Sequence, residues 1–102
     1  MTFAIKMHRA GPEMLLAACD VELLGRTFSE GGARITVGRH FYFGEEATAE
    51  MLVERMRSAT IMNLTGERAV ALAVAEGYVD PERTITIQGV IHAQAVRAKC
   101  SV

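Results

Sequence analysis

Thr60-Ile61-Met62-Asn63-Leu64-Thr65-Gly66-Glu67-Arg68-Ala69-Val70-Ala71-Leu72-Ala73-Val74-Ala75-Glu76-Gly77 is the stretch whose reading decides the fold. Its first five residues are mostly apolar and partly β-branched, the pattern of a short strand. Thr65-Gly66-Glu67 then opens a helix, with Asn63 or Thr65 as the capping side chain. From Glu67 to Glu76 the helix is mostly Ala, Val and Leu around its whole circumference, so burial on several sides is expected. Gly77 ends it. A strand that hands over to a buried helix needs a sheet to pack against, and the flanking sequence supplies the strands.

Upstream, Phe3-Ala4-Ile5-Lys6-Met7-His8 partly alternates and stops at Ala10-Gly11-Pro12, while Glu13 to Cys19 reads as the returning strand of a hairpin. Asp20-Val21-Glu22-Leu23-Leu24-Gly25 fits a single helical turn capped by Asp20 and closed by glycine. Ser29-Glu30-Gly31-Gly32 is a turn, and the alternation of Arg34-Ile35-Thr36-Val37 puts Ile35 and Val37 on a buried face. Glu45 and Glu46 are expected in the first turn of a helix running to about Ala59, with Thr48, Met51, Leu52, Met56 and Ala59 on one side. Downstream, Asp80-Pro81-Glu82 turns the chain. Thr84-Ile85-Thr86-Ile87-Gln88 alternates with Ile85 and Ile87 inward, and a last strand covers Val90 to Val96.

Strands first, then helices alternating with short strands, then strands again make an α+β two-layer sandwich. A mixed or mostly antiparallel sheet with two main helices is expected. The 102 residues form one domain, with an ordered core over about 2–97 and a short C-terminal tail.

Composition narrows the function classes. Half of the chain is hydrophobic and the mean hydropathy is +0.18, high for a small monomer, so an apolar patch covered by a partner or a second copy is an expected feature. Eleven basic residues against twelve acidic ones exclude a broad cationic field for nucleic acid but leave room for a local patch. Nine of the eleven are Arg, which favours bidentate contacts to carboxylate or phosphate. No apolar run approaches the length of a membrane span, and there is no secretory signal, so a cytoplasmic protein with reduced thiols is expected. Cys19 and Cys100 are far apart, and no CxxC or HxxxH spacing occurs; neither a metal site nor a cofactor is expected.

Four clusters carry the candidate chemistry. Cys19-Asp20 pairs a thiol with a carboxylate whose charge opposes thiolate formation, so a buried Cys19 beside a capping Asp20 is the simpler reading. Arg39-His40-Phe41-Tyr42-Phe43 interleaves cations with rings, the composition that stacks bases and holds phosphates. Read as a strand end, it places Phe41 and Phe43 in the core and leaves Tyr42 on the solvated parity, with Arg39 at the start of the segment as its cation. Asn63 to Gly66 offers backbone N–H groups at a helix start, with Gly66 allowing close approach of an anion; it is not a P-loop. His92 and Gln94 share one face of the last strand, where a histidine serves either as a hydrogen-bonded core group or as an acid or base.

Taken in order, Cys19-Asp20 with Leu23-Leu24-Gly25, Phe41-Tyr42 with Gly44, Asn63-Leu64-Thr65-Gly66-Glu67, and Gly89-Val90-Ile91-His92-Ala93-Gln94 resemble the archaeal family catalogued as domain of unknown function 424. The resemblance covers the chain from the first strand to about Val96. It implies a small cytosolic two-layer α/β domain and no particular activity.

The leading functional expectation is a non-enzymatic module linked to translation that contacts RNA or a ribonucleoprotein through Arg34, Arg39, Tyr42 and the backbone from Asn63 to Gly66. A different class is a small-molecule site or enzyme built from Asp20, His92 and Gln94, with Cys19 and Asn63 nearby. A third is self-association or docking on a protein through the last strand and the aromatic segment.

Overall fold

The computed structural model describes residues 3–97. Eight strands and three helices follow one another as β1 (Phe3–Ala10), β2 (Glu13–Asp20), β3 (Thr27–Glu30), β4 (Ala33–Thr36), α1 (Arg39–Tyr42), β5 (Glu45–Ala47), α2 (Ala49–Ser58), β6 (Ile61–Thr65), α3 (Glu67–Ala75), β7 (Ile85–Ile87) and β8 (Val90–Val96). Six strands form one mixed sheet in the order β5-β1-β2-β6-β8-β7, and β3 pairs with β4 in a separate ribbon. Within the six-stranded sheet only β2 and β6 run parallel. No helix among the described residues is long and apolar enough to cross a membrane.

Alternation along each strand divides the sheet into two faces. Phe3 and Ile5 of β1, Leu16 and Ala18 of β2, Met62 and Leu64 of β6 and Ala93 of β8 meet α2 and α3 in the main core. In α2 the stripe forms at helical spacing: Leu52 and Met56 are fully buried, and Ala59 follows at the C-cap. Burial of side chains this size contributes about 1.5–3 kcal/mol each. Thr48 caps this helix by accepting from the Met51 N–H at 3.2 Å. Glu45 and Glu46 are not in its first turn; they lie in the edge strand β5, opposite Ile5 and Ala4. A helix starting at Glu45 would have given up that pairing.

The opposite face is covered only in part. Ala4, Ala17 and Cys19 pack there under Phe28, Val37 and Tyr42, with Ile87. The β3–β4 ribbon lies over this face and is tied to the β7–β8 turn: the Ser29 N–H donates to Gln88 Oε1 at 2.9 Å, and the Gln88 N–H donates to Glu30 Oε1 at 2.6 Å. Gln88 and Gly89 both have positive φ, 55° and 81°, the geometry of a two-residue hairpin turn that suits glycine and strains glutamine.

Three expectations are corrected by this layering. Arg39–Tyr42 is a helical turn and not a strand end, so the parity reverses: Tyr42 is buried at 4% exposure and Phe43 is exposed at 38%. Ile85 and Ile87 do share a face, but the ribbon covers only Ile87, leaving Ile85 54% exposed. Helix α3 is buried on one stripe (Ala69, Val70 and Ala73), while Ala71 and Ala75 face outward because the sheet lies on one side only. Strand β3, with Phe28 its one buried residue, carries no periodicity from which its sequence predicts an element.

Candidate functional site

The polar residues singled out from sequence separate onto two faces. Asp20, the last residue of β2, points to the helical side. Its Oδ1 accepts from the Ala69 N–H at 2.9 Å and its Oδ2 from the Arg68 N–H at 3.1 Å, so it caps α3 from a strand 48 positions earlier in the chain. It makes no side-chain cap to the turn at Val21–Leu23 that follows it. The backbone N–H groups expected to receive an external anion are therefore occupied by the protein's own carboxylate. Neither Asn63 nor Thr65 caps α3; the residue at that position is Gly66, at φ 115°. Arg68 closes the cluster with a bidentate bridge to Glu22, both contacts at 2.7 Å. Those hydrogen bonds hold the Glu22 carboxyl down to about 2.

On the other face, strand register aligns Cys19, Thr65, His92 and Ile85 in one cross-strand row, and Lys6, Ala17, Asn63 and Gln94 in the next. Tyr42 reaches down from α1 into these rows. Its hydroxyl lies 2.6 Å from Asn63 Oδ1 and 2.9 Å from Thr65 Oγ1, and Thr65 Oγ1 lies 2.8 Å from His92 Nδ1. Proton counting gives this chain a direction. Asn63 Oδ1 only accepts, so Tyr42 donates to it. Tyr42 then accepts from the Thr65 hydroxyl, and Thr65 accepts from His92 Nδ1–H. In its neutral form His92 is thereby held with the proton on Nδ1, and Nε2 is left as an acceptor. Burial pushes the Tyr42 hydroxyl up and the His92 imidazole down from their ordinary ranges, so both are neutral near pH 7. A histidine lowered by folding contributes stability that is present above its unfolded pKa and is lost as the pH falls through the folded value.

Tyr42→Phe tests this relay. Removing the hydroxyl leaves Asn63 Oδ1 and Thr65 short of partners, which costs about 1–3 kcal/mol in a denaturant titration. The ¹⁵N shifts of the His92 ring should move from a single Nδ1–H tautomer towards a mixture. Unchanged ring shifts would mean that the tautomer is set elsewhere.

His92 and Gln94 also line an open cleft of about 600 Å³ between the ribbon and the β7–β8 edge. Its other lining residues are Ala33, Arg34 and Ile35 from β4, Ile85 and Ile87 from β7, Arg83 and Ala93. Arg34 has no ion pair among the described residues, whereas Arg83 has a loose one, 3.9 Å to Asp80. Of the RNA-contacting set expected from sequence, Arg34 belongs to this cleft and Asn63 and Tyr42 to the layer linking it to α1. Gly66 is at the start of α3. Asp20 faces the helices, so it shares no site with His92. Cys19 is fully buried in the row beneath Tyr42, and burial, reinforced by the Asp20 charge, pushes its thiol up to about 12.

Arg39 lies apart, in α1 above β1. Lys6 Nζ donates to the His40 carbonyl at 2.8 Å, and His8 Nε2 donates to the Phe41 carbonyl at 2.8 Å. The His8 and Phe41 rings stack with centroids 4.8 Å apart. Lys6 and His8 therefore dock on α1 at His40 and Phe41, and the exposed Arg39 and Phe43 flank that contact in sequence. Lys6, His8, Thr65 and Arg83 were missed as partners in these groups. The period-2 match of Lys6 and His8 on β1, and of Asn63 and Thr65 on β6, was the available signal.

A family model described as "Protein of unknown function (DUF424)" matches residues 8–98. The chain belongs to that family. A crystal structure of an uncharacterised conserved protein from Methanopyrus kandleri superposes with a TM-score of 0.81 at 22% identity, covering 100% of this chain and 98% of that one. At that identity the likeness concerns the fold, and it supports the α+β architecture and its strand order. No curated protein matches the chain. The family's resemblance motifs thus resolve physically into a helix cap (Asp20 and Gly66), a relay (Tyr42, Asn63 and His92) and the wall of a cleft (His92 and Gln94).

Proposed function

We propose that this protein is a non-enzymatic module that contacts single-stranded RNA, free or within a ribonucleoprotein, through the face formed by α1 and β1. The observation that carries this reading is the docking of Lys6 and His8 on the His40 and Phe41 carbonyls of α1, with the His8 and Phe41 rings stacked and Arg39 and the Phe43 ring exposed to either side in sequence. Cations hold the phosphates and rings receive the bases, and stacking tolerates any base because every base has a flat face. Arg39 has no ion pair among the described residues, so engaging a phosphate breaks no existing bridge. A net charge of −1 is compatible with a patch of this size and argues for modest, salt-dependent affinity.

Fluorescence anisotropy with a labelled single-stranded RNA of about ten nucleotides tests the reading. Phe43→Ala should weaken binding by about 1–3 kcal/mol. Lys6→Ala with Arg39→Ala should flatten the dependence of log affinity on log salt by about 1.4. If the wild-type protein does not bind at low salt, or if the double variant binds with the same slope, the reading fails.

A further inference from the structure

We propose that the cleft between β4 and β7–β8 binds a free nucleoside monophosphate, with Arg34 and Arg83 on the phosphate and His92 and Gln94 on the edge of the base. This site is separate from the α1–β1 face and does not rest on the RNA-contacting reading.

Three features of the cleft point to one ligand class. First, its volume of about 600 Å³ lies in the usual range for small-molecule sites. Second, its lining is split between apolar and polar groups in an ordered way. Ile35 comes from the ribbon and Ile85 and Ile87 from the sheet, so apolar side chains from two separate elements face the space. Such walls suit a flat body with two apolar faces. Arg34 and Arg83, both exposed, add two guanidinium groups, of which Arg34 has no ion pair and Arg83 only the 3.9 Å contact to Asp80. Carboxylates and phosphates both accept forked hydrogen bonds from arginine, and a phosphate, with three terminal oxygens, can take them from two guanidinium groups at once.

Third, the hydrogen-bonding edge is prepared in advance. His92 Nδ1 is committed to Thr65, which leaves Nε2 as an acceptor on a half-buried ring beside the cleft. Gln94, two residues along the same face of β8, brings an exposed amide with both donor and acceptor character. An acceptor beside a mixed donor and acceptor is complementary to the edge of a nucleobase, which presents both kinds of group within a few ångströms. A simple anion would use the arginines and ignore His92. An apolar ligand would use the isoleucines and leave both polar groups unsatisfied. Only a ligand with a flat body, a polar edge and an anionic end satisfies the whole lining.

The test is an NMR titration of the full chain with AMP, GMP, CMP and UMP in turn, and with inorganic phosphate and the parent nucleosides as comparisons. The reporters are the His92 ring nitrogens and the Gln94 side-chain amide. At least one nucleotide should shift both reporters saturably with a Kd below about 1 mM, and about tenfold or more tighter than phosphate or its own nucleoside. Arg34→Ala should weaken that nucleotide about tenfold and leave the nucleoside unchanged. Arg34 is exposed and outside the core, so this variant folds; His92→Gln provides a second variant that should remove the preference among bases. The proposal is overturned if no nucleotide saturates the reporters, if phosphate binds as tightly as the best nucleotide, or if Arg34→Ala has no effect. Lys6→Ala with Arg39→Ala should leave these affinities unchanged, which separates the two sites.

Discussion

Gly66→Ala should destabilise the protein by about 4 kcal/mol, a large share of the 5–15 kcal/mol that holds a domain of this size together. Two effects combine. At φ 115° and ψ 150° the backbone occupies a region that is almost confined to glycine and costs other residues about 1–3 kcal/mol. An added Cβ would also stand 2.7 and 2.8 Å from the two carboxylate oxygens of Asp20. To escape, the carboxylate must leave the N–H groups of Arg68 and Ala69, and a lost charge-assisted cap costs about 1–2 kcal/mol more. Asp20→Ala alone should cost about 1–2 kcal/mol for the same lost cap. The double variant should cost less than the sum of the two, because the steric partner is gone in the Asp20→Ala background. Urea titrations of the three variants measure this. Gly66→Ala with the wild-type midpoint, or strictly additive costs, would show that the cap and the glycine are independent.

Cys19 should react with an aromatic disulfide reagent at about one-thousandth of the rate of an exposed thiol at pH 8. The thiol is raised from 9.0 to about 12, first by burial and then by the adjacent Asp20 charge, which removes most of the reactive thiolate. Its zero exposure adds a steric block. Measured in a Cys100→Ser background, the rate should rise to that of a free thiol only as denaturant unfolds the protein. Fast modification of the native protein would contradict the packing beneath Tyr42. Cys100 falls in the last three residues of the sequence, a position from which fast reaction is expected, and it lies outside the described residues.

The architecture was legible because hydrophobic periodicity and glycine turns reveal local structure. The β1–β2 hairpin, α2, α3 and β8 all carry such signals, and Val90–Val96 has the bounds expected of it. Parity failed at Arg39–Tyr42, since four residues are too few to separate a helical turn from a strand end. That one misassignment moved Tyr42 from the solvent to the centre of the relay. Asp20 was recognised as a cap, but the helix it caps begins 47 residues later; capping rules act on sequence neighbours and do not register a carboxylate arriving from another strand. Asn63, His92 and Gln94 were identified as candidates, yet their alignment depends on β6 pairing with β8, and nothing in either strand alone specifies that register. Arg83 follows a turn residue and gave no sequence cue that it would border a cleft.

The β3–β4 ribbon begins and ends at one point: the Gly25 N–H donates to the Val37 carbonyl at 2.7 Å, and the Val37 N–H to the Arg26 carbonyl at 2.8 Å. Residues 26–37 are thus an excursion with a closed neck. They share none of the ladder hydrogen bonds of the six-stranded sheet. Its hold on the sheet is instead the burial of Phe28 and Val37 against Ala4, Ala17 and Cys19, together with the two hydrogen bonds that Ser29 and Glu30 make with Gln88. Ala33, Arg34 and Ile35 of the cleft wall thus belong to a segment outside the ladder, whereas Ile85, Ile87, His92 and Gln94 opposite them belong to the six-stranded sheet. The exposed tip at Gly31–Gly32 and the exposed Arg34 can therefore change in length or charge without touching a ladder hydrogen bond, while Phe28 and Val37 are fixed by burial.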